Sequence, residues 1–152
     1  MQTFLPYADF GKTAKCLDYR RLGKQRVEAK QLLMILLGEN KGKGWINHPA
    51  CKMWKGYSQA LALYGYSMCV EWKNRGFNDT LLDYFLKRVD PNIDEFSFPP
   101  WFGNRKFHRS HKSNLLRKDK QFYSKYKWNV PDNLDYVWPV SIVHKWQDSS
   151  KR

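Results

Sequence analysis

TAKCLDYRRLGKQRVEAKQLLMILL, residues 13–37, is the stretch on which the fold turns. Good helix formers fill it, Thr13 can cap its start and Gly38 stands just past its end, so a helix is predicted over 13–37. Projected at about 100° per residue, Ala29, Leu32, Leu33 and Leu36 share one arc, the face a core needs. Nearer the N-terminus the same arc holds Asp18, Arg21, Gln25 and Glu28 beside Ala14, Leu17 and Leu22. Inward-facing charges are costly unless they are paired or open into a cleft. A buried ion-pair network would satisfy them, and so would a polar pocket. Two acids, two adjacent arginines and a glutamine exceed what one salt bridge requires, which favours the pocket. There acids can move protons and arginines can hold a phosphate. Arg20, Lys24 and Arg26 project on other sides, as a solvated face or as phosphate contacts.

Outward from this helix, Asn40 to Trp45 reads as a mobile surface loop, with Gly42 and Gly44 among lysines. Asn47-His48-Pro49 places a capping residue ahead of a proline. The apolar pattern through Met53, Trp54, Tyr57, Leu61, Tyr64, Met68 and Trp72 then predicts a second helix from Pro49 to Asn74, closed by Gly76. Asp79 or Thr80 can cap a third, shorter helix ending before Pro91. The acidic stretch at Asp94, Glu95 and Phe96 should face away from a polyanion. Pro99-Pro100-Trp101 makes an extended corner, Asn104 to Lys118 a basic and polar helix, and Asp119 can cap one more turn bearing Phe122, Tyr123 and Tyr126. The tail, punctuated by Pro131 and Pro139, reads as irregular chain wrapped on the helices. No strand alternation persists and no repeat is visible. The expectation is a single all-α domain over 1–152, a compact bundle of three to four helices with an irregular C-terminal wrap.

Composition bounds the partners. A chain of 152 residues with 42% hydrophobic and 16% aromatic content can build its own core, and a formal charge of +13 points to a polyanion, nucleic acid ahead of an anionic membrane surface. The longest apolar run, Leu32 to Leu37, is far short of a membrane span, and Met1-Gln2-Thr3-Phe4 lacks the features of a secretory signal. A soluble, intracellular protein of the cytoplasm or nucleoid is expected, monomeric and without membrane contact. Cys16, Cys51 and Cys69 are odd in number and lack Cys-x-x-Cys spacing, so reduced thiols are expected rather than disulfides or a zinc cage.

Two further clusters carry candidate chemistry. Between Trp101 and Trp128 lie nine Lys or Arg residues and one acid, Asp119, interleaved with aromatic rings. Basic groups neutralise phosphates and aromatic faces stack on unpaired bases. A solvated basic helix is the plainer alternative. Within that stretch His108 and His111 suit proton transfer or phosphate contact better than a metal, because no cysteine lies nearby. Asn47 and His48 form the second cluster, where helix capping competes with a role in a site. No glycine-rich phosphate loop, nucleophile elbow or His-Glu-x-x-His is present.

These motifs together resemble the pyrimidine-dimer DNA glycosylases related to the phage enzyme endonuclease V, most closely a bacterial and viral branch. The resemblance runs through Met1-Gln2-Thr3-Phe4-Leu5-Pro6-Tyr7, Arg20-Arg21-Leu22-Gly23-Lys24-Gln25-Arg26-Val27-Glu28, Asn47-His48-Pro49, Pro100-Trp101, His108-Arg109-Ser110-His111 and Tyr136-Val137-Trp138-Pro139. It implies a compact helical bundle and a chain-terminal α-amine that attacks the sugar C1′, expels the base and forms an imine, whose β-elimination nicks the strand. The nucleophile would be the amine of Met1, since a bulky Gln2 should block removal of the initiator methionine, and an α-amine with a reference pKa near 8 keeps a usable neutral fraction. The family's glutamate, in a Tyr-Arg-Glu-Leu context, has Arg21 in its place here. Asp18 and Glu28, on the same helix face, are the acids that could replace it.

The resulting expectation is a DNA glycosylase, with or without lyase activity, acting on double-stranded DNA that carries a damaged or flipped pyrimidine. Met1, Glu28, Asp18, Arg21 and His111 would serve catalysis. Arg20, Lys24, Gln25, Arg26, Asn47, His48, Trp101, His108, Arg109, Lys112, Arg117 and Lys118 would bind DNA, aromatic residues of 101–128 would support the distorted stack, and no metal or organic cofactor is implied. A non-catalytic basic DNA-binding protein is the alternative. A nuclease or transferase would keep the pocket but need a metal or a cosubstrate.

Overall fold

A computed structural model describes residues 2–39, 46–89 and 97–139. The loop expected at 40–45 and the acidic stretch at 94–96 lie outside them. Among the described residues the chain is all-α, with α1 Phe10–Cys16, α2 Tyr19–Leu36, α3 Pro49–Lys52, α4 Ser58–Asn74, α5 Leu82–Leu86, α6 Arg105–Lys118, α7 Lys120–Tyr123 and a 3-10 turn at Ser124–Tyr126. The three long helices, α2, α4 and α6, make the body, and no described helix is long and apolar enough to cross a membrane.

The helix expected over 13–37 is two helices. Leu17 and Asp18 are extended, with ψ of 141° and 156°. Asp9, not Thr13, caps α1 by accepting from Lys12 N at 2.8 Å. The break follows from Asp18, whose carboxylate caps α2 by accepting from Arg21 N at 3.3 Å, a local bond that competes with helix continuation. At the far end Gly38 takes φ +72°, as expected of a residue just past a helix.

The helix expected over 49–74 also divides. Gly56 adopts φ +86° in the turn between α3 and α4, and His48 rather than Asn47 caps α3, its Nδ1 accepting from Ala50 N at 3.0 Å. Helix α4 is the centre of the bundle and packs along α2, α1 and α5. Its Gly65 faces the buried ring of Phe85 so closely that a Cβ would overlap it. Gly65→Ala should therefore destabilise the fold by about 3 kcal/mol, the upper end of overpacking penalties, visible as a lowered urea midpoint.

Helix α6 is the basic and polar helix expected, but it is not merely solvated. Phe107, His108, Ser110, His111, Ser113, Asn114, Leu115 and Leu116 are all buried. Its polar residues are inside because two irregular segments lie against it and bring backbone groups with no ladder of their own. Ser110 Oγ accepts from Val137 N at 3.2 Å, and Ser113 Oγ accepts from Leu134 N at 2.9 Å. The two histidines hold Leu5. The part of the C-terminal wrap within 130–139 thus packs on α6 as expected, while residues 140–152 lie outside the described set. Trp54, Trp101 and Phe107 form an aromatic seam, with centroids 4.9 and 4.7 Å apart in succession.

Candidate active site

The break before α2 and the N-terminal segment laid along that helix leave an open cleft of about 740 Å3. Gln2, Phe4, Asp18, Tyr19, Arg20, Arg21, Lys24, Gln25, Glu28, Lys118, Asp119 and Phe122 line it. The four residues that looked misplaced on the helix arc, Asp18, Arg21, Gln25 and Glu28, thus meet at one cavity. Its volume is in the range of small-ligand sites. Arg20, Arg21, Lys24 and Lys118 outnumber Asp18, Glu28 and Asp119, a balance that suits a phosphorylated ligand.

Gln25 is the hub of the cleft floor. Its Oε1 accepts from Phe4 N at 3.0 Å and from the buried Tyr64 hydroxyl at 2.6 Å. Its Nε2 donates to Gln2 O at 2.9 Å and to Glu28 Oε2 at 3.1 Å. Both partners of Nε2 are acceptors, which fixes the amide's orientation. Glu28 Oε2 also accepts from Gln2 N at 3.2 Å, and Lys24 Nζ lies 3.8 Å from Glu28 Oε1. Glu28 is therefore held against the start of the chain. Met1 itself lies outside the described residues.

Asp18 occupies the other end of the helix face, about 15 Å along the axis from Glu28. Its carboxylate accepts from the Tyr123 hydroxyl and from Arg21 NH1 at 3.1 Å. Burial pushes its pKa up, but the bonds from Tyr123 and Arg21 outweigh that and hold it below the ordinary value. It remains an ionised cap held by the Tyr123 hydroxyl and by two nitrogens of Arg21.

Five of the residues expected at the site are buried or bonded within the fold. His111 is fully buried between Phe107 and Tyr136, with Nδ1 accepting from Leu5 N at 2.8 Å, so it holds the N-terminal segment. His108 donates from Nδ1 to Leu5 O at 2.7 Å and accepts from Gly103 N at 2.9 Å, which uses both ring nitrogens. Trp101 is 1% exposed and donates to Met53 O, leaving no face for a base. Gln25, also 1% exposed, spends its amide internally rather than on DNA. Arg26 forms an ion pair with Asp79 and lies 4.5 Å from the centroid of Trp72, a structural pairing rather than a phosphate contact. Phe107 and Tyr123, within the aromatic stretch expected to support a distorted stack, are buried as well.

The other expected DNA contacts divide by location. Arg20, Lys24 and Lys118 line the cleft with Arg21. Lys112 lies over the Tyr7 ring, Arg109 donates to Asn129 O, and exposed Arg117 donates to Asp132 O and Asn114 Oδ1. None of these three lines the cleft, nor do Asn47 and His48. Sequence reasoning passed over Gln2, Tyr64 and Tyr123 as site-shaping residues. Tyr64 and Tyr123 sit in apolar patterns where nothing marks their hydroxyls as partners of Gln25 and Asp18.

Burial lowers the pKa of both His108 and His111, the latter well below the ordinary value of 6.5. Such groups stay neutral when folded and take up protons when unfolded. The unfolded state binds more protons below about pH 6.5, so stability should fall on acidification by up to about 1.4 kcal/mol per pH unit for each histidine. Urea midpoints between pH 8 and 5 check this, and His111→Asn, whose side-chain oxygen can still accept from Leu5 N, should flatten the dependence.

The family model described as pyrimidine dimer DNA glycosylase matches residues 1–85, more than half of the chain. The chain belongs to this family. The matched region contains all of α1 to α4 and most of α5, including every cleft residue contributed by the N-terminal segment and α2. It stops short of α6 and α7, which add Lys118, Asp119 and Phe122. No curated protein and no solved structure matches the chain.

Proposed function

We propose that this member of the family excises a damaged or modified pyrimidine from double-stranded DNA by attack of an α-amine at Met1, with Glu28 handling protons. The observation that carries the reading is the placement of Glu28 Oε2, 3.2 Å from Gln2 N, in a cleft edged by Arg20, Arg21, Lys24 and Lys118. Whatever conformation residue 1 takes, three covalent bonds confine its α-nitrogen to within about 4 Å of that Gln2 nitrogen. A free amine on residue 1 would thus be a covalent neighbour of the Gln2 nitrogen that Glu28 holds. Asp18, at the opposite end and engaged by Tyr123 and Arg21, is the poorer replacement for the family's glutamate.

The chemistry follows from that pairing. The amine lone pair forms the N–C1′ bond as the glycosidic bond breaks, and the base leaves with the bonding electrons and gains a proton. The Glu28 carboxylate takes the proton released from the amine, and opening of the sugar ring, with a proton to O4′, gives the imine. A lyase step would then remove a C2′ proton and expel the 3′ phosphate. Base extrusion into the cleft would be supported by phosphate contacts from Arg20, Arg21, Lys24 and Lys118.

Borohydride trapping of the tagless protein on ultraviolet-irradiated, base-modified, abasic and undamaged duplexes tests this, with the adduct mapped by mass spectrometry. An adduct at the Met1 amine on damaged or modified DNA is the expected result. Base release without an adduct would replace the amine by water. Salt-sensitive binding with neither adduct nor release on any duplex would leave a DNA-binding protein only.

A further inference from the structure

The rim of the cleft carries aromatic surface that the excision chemistry does not use. Tyr19 lines the cleft and is 52% exposed, and Phe77, at the end of α4, is 39% exposed. Their rings are stacked, 6.2 Å between centroids and 25° between planes. Phe77 in turn stacks on Trp72 at 4.2 Å and 23°. Trp72 rests against the Arg26 guanidinium, which is paired with Asp79, and its indole N–H donates to Asn78 O at 2.9 Å. Gly23 admits this arrangement, since a Cβ there would lie 2.9 Å from the Trp72 ring. The result is a column of planar groups, anchored at its inner end by a largely buried ion pair and open at its outer end beside the cleft.

A flat, half-exposed ring that shares the cleft with Arg20, Arg21 and Lys24, the Arg20 guanidinium 5.7 Å from its centroid, matches the two parts of a nucleotide, the π-surface of the base and the charge of its phosphate. Arg20 Nε also donates to the Tyr19 hydroxyl at 3.1 Å, which holds the phenol edge. We infer that Tyr19, backed by Phe77 and Trp72, is the platform that stacks on the base adjoining the nucleotide drawn into the cleft. The inference rests on the excision reading above. Extrusion leaves the neighbouring base with one face unstacked, and the Tyr19 ring covers that face. Because an intact helix already covers it with the next base, the platform favours DNA whose stacking is broken at the target. Tyr19 and Phe77 are thus specificity-determining residues and touch no reacting atom.

The test compares binding of the full chain to a duplex containing a tetrahydrofuran abasic-site analogue with binding to the same duplex intact. A second abasic duplex carries 5-iodouracil beside the gap for photocrosslinking. Tyr19→Ala should lower the preference for the gapped duplex about tenfold, the size of one lost base–aromatic stack, and Tyr19→Phe should retain it. Phe77→Ala should lower it severalfold with an unchanged melting temperature. The photocrosslink should map to Tyr19. An unchanged preference in Tyr19→Ala, or a crosslink mapping away from Tyr19 and Phe77, would overturn the platform while leaving excision intact. A wild-type chain with no preference for the gapped duplex would remove the excision reading and the platform together.

Discussion

Glu28→Gln should retain DNA affinity within about twofold and lose base release and borohydride trapping by about 100-fold or more, the scale of a deleted proton-transfer group. The substitution is nearly isosteric. The side-chain carbonyl can still accept from Gln2 N and Gln25 Nε2, which are donated to Glu28 Oε2 in the native cleft. What disappears is the carboxylate's capacity to take a proton beside the chain start. Single-turnover base release separates this from binding, and an unchanged rate would remove Glu28 from the chemistry. Asp18→Asn provides the contrast. It should cost stability through its Tyr123 and Arg21 contacts while leaving the trapping rate within severalfold.

Gln25→Ala should destabilise the fold by about 3 kcal/mol and reduce trapping together with stability. The truncation leaves the Phe4 N–H and the Gln2 carbonyl without their side-chain partner and opens a void beside Tyr64. Each stranded buried group costs about 1–3 kcal/mol, a large part of a domain's net stability. Urea unfolding measures it. A loss below 1 kcal/mol would show that the N-terminal segment is held chiefly by its other partners, Thr3 through Trp54 and Leu5 through His108 and His111.

The cleft was legible in the sequence because it contradicts a pattern. Asp18, Arg21, Gln25 and Glu28 occupy a helix face that Ala29, Leu32 and Leu33 mark as inward, and charges on such a face call for an opening or for partners. Both turned out to be present, the opening at the cleft and the partners in Tyr123, Tyr64 and the backbone of residues 2–4. The break at Leu17 and Asp18 was not legible, since helix propensity runs through it and the cap that Asp18 makes to Arg21 N is reinforced by Tyr123, 105 residues away. Helix α6 misled for a related reason. Histidine, serine and asparagine at helical spacing look solvated until two irregular segments arrive with backbone groups that need them. Phe77 gave only a faint signal, an aromatic residue directly after the glycine that ends α4, and its stacking partner Tyr19 belongs to another helix.

The bonds from His108 and His111 to Leu5 span 103 and 106 residues of chain. During synthesis, the N-terminal segment emerges first but cannot acquire these partners until α6 has left the ribosome, when more than three-quarters of the chain exists. Until then the segment has only its partners Gln25, Glu28, Trp54 and Tyr64, and the cleft lacks the wall supplied by Lys118, Asp119 and Phe122. The site is therefore complete only once α6 and α7 are in place, and a fragment ending at residue 85, although it spans the whole family-matched region, would keep the α2, Trp54 and Tyr64 contacts of its N-terminal segment but lose both histidine partners of Leu5.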